Sequence, residues 1–165
     1  MIFSVDRETN ELSQIREKAF AALDVLERRD FQEWVIDNPE ILGEQLLVVQ
    51  SEYANFEETS DRLDILALDV DGKLVVVELK RDEADDTTDL QAIKYASYCA
   101  TLTAEDIQKE YRTFWNGRGE DYSPEEVGQH FTEFLDGSVY EETTDEGRVA
   151  FDLDDRPRIL LAAGS

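Results

Sequence analysis

The sequence predicts an α/β domain with a mixed central sheet flanked by helices and preceded by an N-terminal helical segment. Its 165 residues are enough for one domain with a buried core. Two adjacent segments, Leu63–Asp69 and Lys73–Lys80, carry apolar residues on both faces. Strands of that kind are typical of the centre of a sheet that helices cover on both sides. Apolar residues at helical spacing in the remaining segments supply the predicted covering helices.

The first 28 residues predict a separate strand and helix extension. Ile2, Phe3 and Val5 form a short apolar stretch that could be an edge strand. From Leu12 to Leu26 the apolar residues recur at helical spacing, which predicts an amphipathic helix.

The main domain is predicted to span residues 29–165. It is either truncated at its C-terminal end or closed by a strand beside the core that is expected to be buried. Asn38 and Pro39 end the first helix, because the residue before a proline avoids the helical region. The predicted elements are a helix over Phe31–Asp37, a helical turn over Pro39–Gln45, strands over Leu46–Tyr53, Leu63–Asp69 and Lys73–Lys80, helices over Thr87–Leu102, Ala104–Trp115 and Pro124–Leu135, an acidic loop over Glu141–Gly147 and a strand over Arg158–Ala163.

The charge is strongly negative, with 40 acidic against 16 basic residues and a net charge of −24. An acidic interaction protein that repels nucleic acid would have such a charge. A protein of a highly saline cytoplasm would have it too, and the spread of the acids over the whole chain favours this halophilic interpretation. At about 1 M salt the Debye length is only about 3 Å, so a negative surface would no longer keep DNA away.

The rare residues exclude several kinds of chemistry. Cys99 is the only cysteine and His130 the only histidine, so neither a disulfide framework nor a histidine-rich zinc site is available. Hydrolysis by this chain would rest on carboxylates, lysine and a hard cation such as Mg²⁺ or Mn²⁺. No apolar run approaches the roughly 18 residues of a membrane span, and the early acidic residues do not resemble a secretory signal. We therefore expect a cytoplasmic protein without a membrane partner.

Three charged residues interrupt the two apolar strands: Asp64, Glu78 and Lys80. Burying a charge without a partner is costly, so these side chains should meet one another or a metal. A two-residue turn would place Ile65 opposite Glu78. A three-residue turn with Gly72 in the left-handed conformation places Asp64 opposite Glu78 instead, and we predict this register.

Other candidates lie on the neighbouring helices. Gln91, Tyr95 and Tyr98 share one stripe of the predicted helix that follows the hairpin. On the helix before it, Glu33 is the leading candidate for a further carboxylate. Glu40, Glu44 and Glu52 are weaker alternatives for that role.

The order Asp64, thirteen intervening residues, Glu78-Leu79-Lys80, then Gln91 and Tyr95, resembles the nuclease domain of NucS-like (EndoMS) enzymes of the PD-(D/E)xK superfamily. The resemblance covers residues 31–98 and implies a restriction-endonuclease-like fold. It further implies that Asp64, Glu78 and the Leu79 carbonyl hold Mg²⁺ or Mn²⁺ and that Lys80 supports the attacking water.

The same resemblance implies that Glu33 assists the reaction and that Gln91 and Tyr95 line the site. Arg62 and Arg81 flank the hairpin and could contact phosphate or pair with nearby carboxylates.

The resemblance implies a metal-dependent DNA endonuclease that acts in DNA repair or on branched, mismatched or single-stranded DNA. The alternative is an inactive module of the same fold that binds DNA or a repair protein. A homodimer and a repair or replication partner are both left open.

Two other features have simpler explanations. Residues 114–118, FWNGR, could stack bases, but a helix end with a glycine cap is the preferred interpretation. His130 is expected to be structural.

Overall fold

A computed structural model describes residues 2–16, 18–24, 26, 30–53, 63–80, 93–97, 99–143, 147–153 and 156–163. The strands are β1 Ile2–Asp6, β2 Glu11–Ile15, β3 Leu46–Tyr53, β4 Leu63–Asp69, β5 Leu74–Lys80, β6 Tyr140–Thr143, β7 Val149–Phe151 and β8 Arg158–Ala163. The α-helices are α1 Gln32–Asp37, α2 over residues 93–97, α3 Ala104–Gly117 and α4 Pro124–Phe134, with 3₁₀ helices at Phe20–Leu23 and Pro39–Leu42. No helix of the described ranges is long and apolar enough to cross a membrane.

The central sheet has four strands in the order β3-β4-β5-β8. The first three are antiparallel to one another, and β8 lies parallel to β5. The predicted α/β fold with a mixed central sheet and flanking helices is confirmed. All residues of β4 are buried, as expected for a strand that is apolar on both faces.

The two faces of the sheet carry two separate apolar clusters. Leu66 and Val76 pack with residues of α3 and α4, including Tyr111 and Phe131. Alternate residues, among them Ile65 and Val77, form the other cluster with Phe31, Val35 and Ile36 from the region of α1. The hairpin of β4 and β5 is therefore enclosed from both sides.

Local sequence signals determine where α3 and α4 begin. Thr103 and Asp106 form a reciprocal capping box at the start of α3. Ser123 and Glu126 do the same for α4, and Pro124 occupies the first turn. Both helices start where the sequence predicts. The end of α3 at Gly117 supports the helix-end interpretation of FWNGR. The glycine with a left-handed φ after the helix is Gly119 and not the predicted Gly117.

The predicted N-terminal helix over Leu12–Leu26 is wrong. Residues 11–15 are strand β2, which pairs with β1, and residues 20–23 are a 3₁₀ helix. Asp6 accepts hydrogen bonds from the backbone N–H groups of Glu8 and Thr9, and Asn10 has a left-handed φ of 55°. These turn residues favour a hairpin, and β2 is exposed throughout, so it lacks the core contacts that stabilise an amphipathic helix.

Two details of the C-terminal region also differ from the prediction. The acidic segment Glu141–Gly147 was expected to be a loop, but its first residues belong to β6, which pairs with β7. β8 was expected to be buried, yet Ile159 and Leu161 are 39% and 41% exposed. Since β8 pairs with β5 and one of its faces is solvent-exposed, it has the half-buried pattern of a strand at the side of the sheet.

Candidate active site

The turn between β4 and β5 has the predicted three-residue form. The backbone N–H of Asp69 donates to the Lys73 carbonyl at 2.9 Å, and that of Gly72 donates to the Asp69 carbonyl at 3.1 Å. Gly72 has a left-handed φ of 79°, and a Cβ there would lie 2.8 Å from Cγ1 of Val139. Glycine is therefore needed at this position both for the conformation and for space.

This turn determines which side chains face one another. The hairpin pairs Ile65 with Val77 and Leu68 with Leu74, and the same register continued along the strands places Asp64 opposite Glu78. By alternation Glu78 projects to the side of Leu74 and Val76, which α3 and α4 cover. The predicted register is confirmed.

Asp64 is 7% exposed and is held from two directions. Its Oδ2 accepts the backbone N–H of Leu79 at 2.9 Å. Its backbone carbonyl accepts the side-chain amide of Gln32 at 3.2 Å. The carboxylate therefore accepts a hydrogen bond from a backbone N–H of β5, just beyond the last residue pair of the hairpin, Ile65 and Val77. Both contacts fix the position of the carboxylate.

Glu78 is 4% exposed, and its two carboxylate oxygens differ. Oε1 accepts a hydrogen bond from Nζ of Lys80 at 3.0 Å. Oε2 is buried and has no hydrogen-bond partner within the described part of the chain. An ionised oxygen in that position is costly unless a cation or a donor approaches it. Its environment fits a bound divalent cation.

Lys80 completes the group at the end of β5. It lies two residues from Glu78, so both side chains project from the same face of the strand. Its side chain is 28% exposed while that of Glu78 is 5% exposed. The ammonium group can therefore contact Glu78 and, at the same time, solvent or a ligand.

Among the described residues, no group of three or more acidic, histidine or cysteine side chains is placed to hold a metal ion.

Glu33, the leading candidate for a further carboxylate, forms an ion pair with Arg118. Its two carboxylate oxygens accept hydrogen bonds from Arg118 at 2.6 and 3.3 Å, and Arg118 also lies 3.8 Å from Asp37. The hydrogen bond to Glu33 raises the pKa of Arg118. Of the weaker alternatives, Glu44 pairs with Arg158 and Glu40 is exposed on a 3₁₀ helix. Glu52 is half-buried in β3 with a φ of 52°.

Sequence reasoning missed Gln32, the residue of α1 that reaches the hairpin. Gln32 is 3% exposed and bonds to the main chain of Asp64. The signal was present in the helix period. Gln32 lies three and four residues before the apolar Val35 and Ile36, on the buried stripe of α1, whereas Glu33 shares the outer stripe with Asp37.

The other site candidates are placed as follows. Tyr95 is buried in the cluster that contains Leu66 and Cys99. Burial raises the pKa of the Cys99 thiol to about 12. Leu79 is buried in β5 and is aligned with Ala162 of β8. Arg62, Arg81, Gln91 and Tyr98 lie outside the described residues.

A mixed sheet whose central hairpin holds a buried aspartate, a buried glutamate and a lysine defines a restriction-endonuclease-like fold. The family model for the endonuclease NucS C-terminal domain matches residues 27–112, just over half of the chain. The chain belongs to this family. The match includes α1, both strands of the hairpin, and Asp64, Glu78 and Lys80.

One solved structure, described as the structure of an EndoMS-dsDNA2 complex, is 27% identical to this chain. The likeness covers 49% of this chain and 29% of that chain, with a TM-score of 0.35. The chain therefore corresponds to less than a third of the length of that protein. No curated protein matches the sequence.

Proposed function

We propose that this domain is a metal-dependent endonuclease that hydrolyses phosphodiester bonds in DNA. One observation carries the proposal: in a member of the NucS C-terminal family, the buried carboxylates of Asp64 and Glu78 are opposed on the central hairpin, with one oxygen of Glu78 unpartnered among the described residues. Burying a charged group is costly. Several buried charged groups in one place therefore favour a functional role over a structural one.

The residues present fit a hard divalent cation. Asp64 and Glu78 supply carboxylate oxygens, the ligands that Mg²⁺ and Mn²⁺ prefer, and the Leu79 carbonyl is the proposed third protein ligand. When bound, such a cation stabilises negative charge on a phosphoryl oxygen and on the leaving oxygen.

The chain's own groups would perform three tasks. The Lys80 ammonium is bonded to Glu78 and its side chain is 28% exposed, so it would hold a water molecule or a phosphate oxygen that approaches from solvent. Asp64 is kept in place by the Leu79 N–H and by Gln32 through its main chain. The burial of both carboxylates limits access of bulk water, which strengthens electrostatic interactions with the substrate. The oxygen of the held water would bond to phosphorus as the bond from phosphorus to the leaving oxygen breaks, and the proton that the water loses would reach the leaving oxygen through solvent.

The test is cleavage of labelled mismatched, branched and single-stranded DNA, with RNA alongside, in Mg²⁺ or Mn²⁺. We expect Asp64→Asn and Lys80→Ala each to lower the cleavage rate by about a hundredfold to a thousandfold, the magnitude seen when a group that stabilises transition-state charge is removed. Asp71→Asn is the matched control, since Asp71 is an exposed aspartate on the same hairpin and should retain the wild-type rate.

Equal cleavage by wild type and Asp64→Asn would contradict the proposal. Glu33→Gln separates the two candidate roles of Glu33. A loss as large as that of Asp64→Asn would make Glu33 part of the reaction, whereas a small loss accompanied by lower stability would indicate only its bond to Arg118.

A second candidate function is an inactive module that binds DNA or a repair protein. The observation that favours it is that Lys80 already neutralises one carboxylate of a pair for which the described residues supply no third acidic side chain. This alternative predicts that the domain binds DNA without metal-dependent cleavage. Asp64→Asn would then leave the affinity for DNA unchanged, and cleavage would be absent in both proteins.

A further inference from the structure

A groove between α3, α4 and the residue before β7 is lined by basic side chains. Its lining residues are Gln108, Lys109, Arg112, Pro124, Val127 and Arg148. Three of the six are cationic in a chain in which acids outnumber bases by 40 to 16. The lining therefore holds three cationic side chains and no acidic one. It lies on the helices that cover the sheet face to which Glu78 projects.

Two of these cations lie outside the ion pairs of the described residues. Lys109 and Arg112 form no ion pair with any described residue, whereas Arg118 and Arg158 each contact two carboxylates. Asp106 interacts with the charge of Lys109, but its carboxylate is already bonded to the N–H and hydroxyl of Thr103 at 3.0 and 2.7 Å.

The geometry of the groove is fixed by the fold. Nε of Arg112 donates to the Tyr122 carbonyl at 2.8 Å, which orients the guanidinium and leaves its two terminal nitrogens for another acceptor. Lys109 and Arg112 are three residues apart, so they project from one face of α3. Gln108 and Val127 beneath them are 4% and 2% exposed. Arg148 lies at one side, bonded to Glu105.

We infer that this groove binds a phosphate group of a nucleic-acid backbone at a position separate from Asp64 and Glu78. A preoriented arginine beside a lysine is a typical phosphate site, because the guanidinium offers paired donors and the ammonium a second charge. Such contacts position a duplex without reading its sequence. The inference rests on the proposed function for its choice of nucleic acid as the source of the phosphate.

The test compares two double variants with the same change of charge. Lys109→Gln/Arg112→Gln removes the groove cations, and Arg7→Gln/Lys18→Gln removes one arginine and one lysine that are exposed near the N-terminus. Binding of a short labelled DNA duplex is measured by fluorescence anisotropy in chelator over a range of KCl concentrations. We expect the groove variant to bind about tenfold more weakly and to lower the slope of log K against log salt by about one, since one neutralised phosphate contributes about 0.9. The N-terminal variant should stay within about twofold of the wild type, because rim charges without a ligand add little.

Equal losses in the two variants would indicate a general charge effect and overturn the inference, as would wild-type binding by the groove variant. Inorganic phosphate is the competitor that separates the two sources of the ligand. If inorganic phosphate displaces the duplex at a concentration equal to that of the phosphate groups of the duplex, the ligand is free phosphate. That result would overturn the choice of nucleic acid. Lys109→Gln alone guards against misfolding, because the Lys109 side chain has no hydrogen bond to a described residue. It should weaken binding by less than the double variant does.

The cleavage assay separates this inference from the proposed function. Cleavage that depends on Asp64, together with wild-type binding by the groove variant, would overturn the groove alone. Binding that depends on the groove without cleavage that depends on Asp64 would overturn the endonuclease alone. No binding of DNA by the wild type at any salt concentration would overturn both.

Discussion

The hairpins β1–β2 and β4–β5 place the same two residue types opposite each other in different surroundings. In the first, Asp6 is paired with Glu11, and both are exposed. In the second, Asp64 lies opposite Glu78, and both are buried. The apolar pairs differ in the same way. Val5 and Leu12 are 62% and 66% exposed, whereas Ile65 and its partner Val77 are fully buried.

The comparison shows that the environment, and not the residue pair, makes a candidate site. Two opposed carboxylates in water are screened and hydrated, so Asp6 and Glu11 require no partner. The same two groups beneath covering helices must be compensated, which explains the bonds of Asp64 to Leu79 and of Glu78 to Lys80. A cation would complete that compensation at Oε2 of Glu78.

The largest expected difference between the two carboxylate pairs is in metal binding. Mn²⁺ titrated into the wild type by calorimetry should show a site that Asp64→Asn/Glu78→Gln abolishes, because both of the proposed carboxylate ligands are lost. Asp6→Asn/Glu11→Gln removes the same charges from the exposed hairpin and should bind Mn²⁺ like the wild type. Equal loss in both variants would show that Mn²⁺ associates with the acidic surface in general, and would remove the buried pair as a metal site.

The next largest effect concerns the stability of the two hairpins. Leu66→Ala should lower the free energy of unfolding by about 3 kcal/mol, because Leu66 is fully buried and its loss leaves a cavity. Leu12→Ala should change it by less than about 0.5 kcal/mol, since Leu12 is 66% exposed. Urea unfolding followed by circular dichroism measures both. A cost for Leu12→Ala that approached that of Leu66→Ala would mean that β1–β2 is covered by a surface outside the described residues.

The same contrast explains which parts of the fold could be predicted. Strands β4 and β5 are apolar on both faces and are bounded by a turn with a required glycine, so composition and turn chemistry agree. For Leu12–Leu26 the pattern of apolar residues and the turn chemistry predict different structures. The spacing of the apolar residues fits a helix, but Asp6 and Asn10 form a turn that commits the chain to a hairpin. The pairing of β6 with β7 was missed because an acidic segment gives no hydrophobic period.

For the candidate site, the register of Asp64 and Glu78 could be predicted because it follows from the length of the turn. The contribution of α1 could not be predicted by looking for acidic residues alone. Gln32 is a neutral residue whose importance comes from its buried position over Asp64, and Glu33 is held by Arg118 from α3, a partner 85 residues away in the sequence. Long-range pairings of that kind leave no local pattern in the sequence.

The smallest expected effect tests whether the exposed hairpin is held by its turn. The backbone N–H groups of Thr9 and Glu8 lower the pKa of Asp6, because they stabilise its ionised form. Since the folded pKa is lower than the unfolded one, these bonds stabilise the turn fully above the ordinary aspartate pKa of about 3.9. That stabilisation is lost as the pH falls through the lowered value.

The Thr9 amide followed by NMR should therefore titrate with a midpoint below about 3.9, and the step should vanish in Asp6→Asn. The β4–β5 hairpin offers the internal comparison, because Asp69 accepts the N–H groups of Asp71 and Lys73 in its own three-residue turn but also contacts Arg158. Acid that opens the Asp6 turn should leave the Gly72 amide protected from exchange, since the enclosed sheet does not depend on the exposed hairpin. Simultaneous loss of both signals would show that the two hairpins unfold as one unit and that the exposed one contributes to the stability of the site.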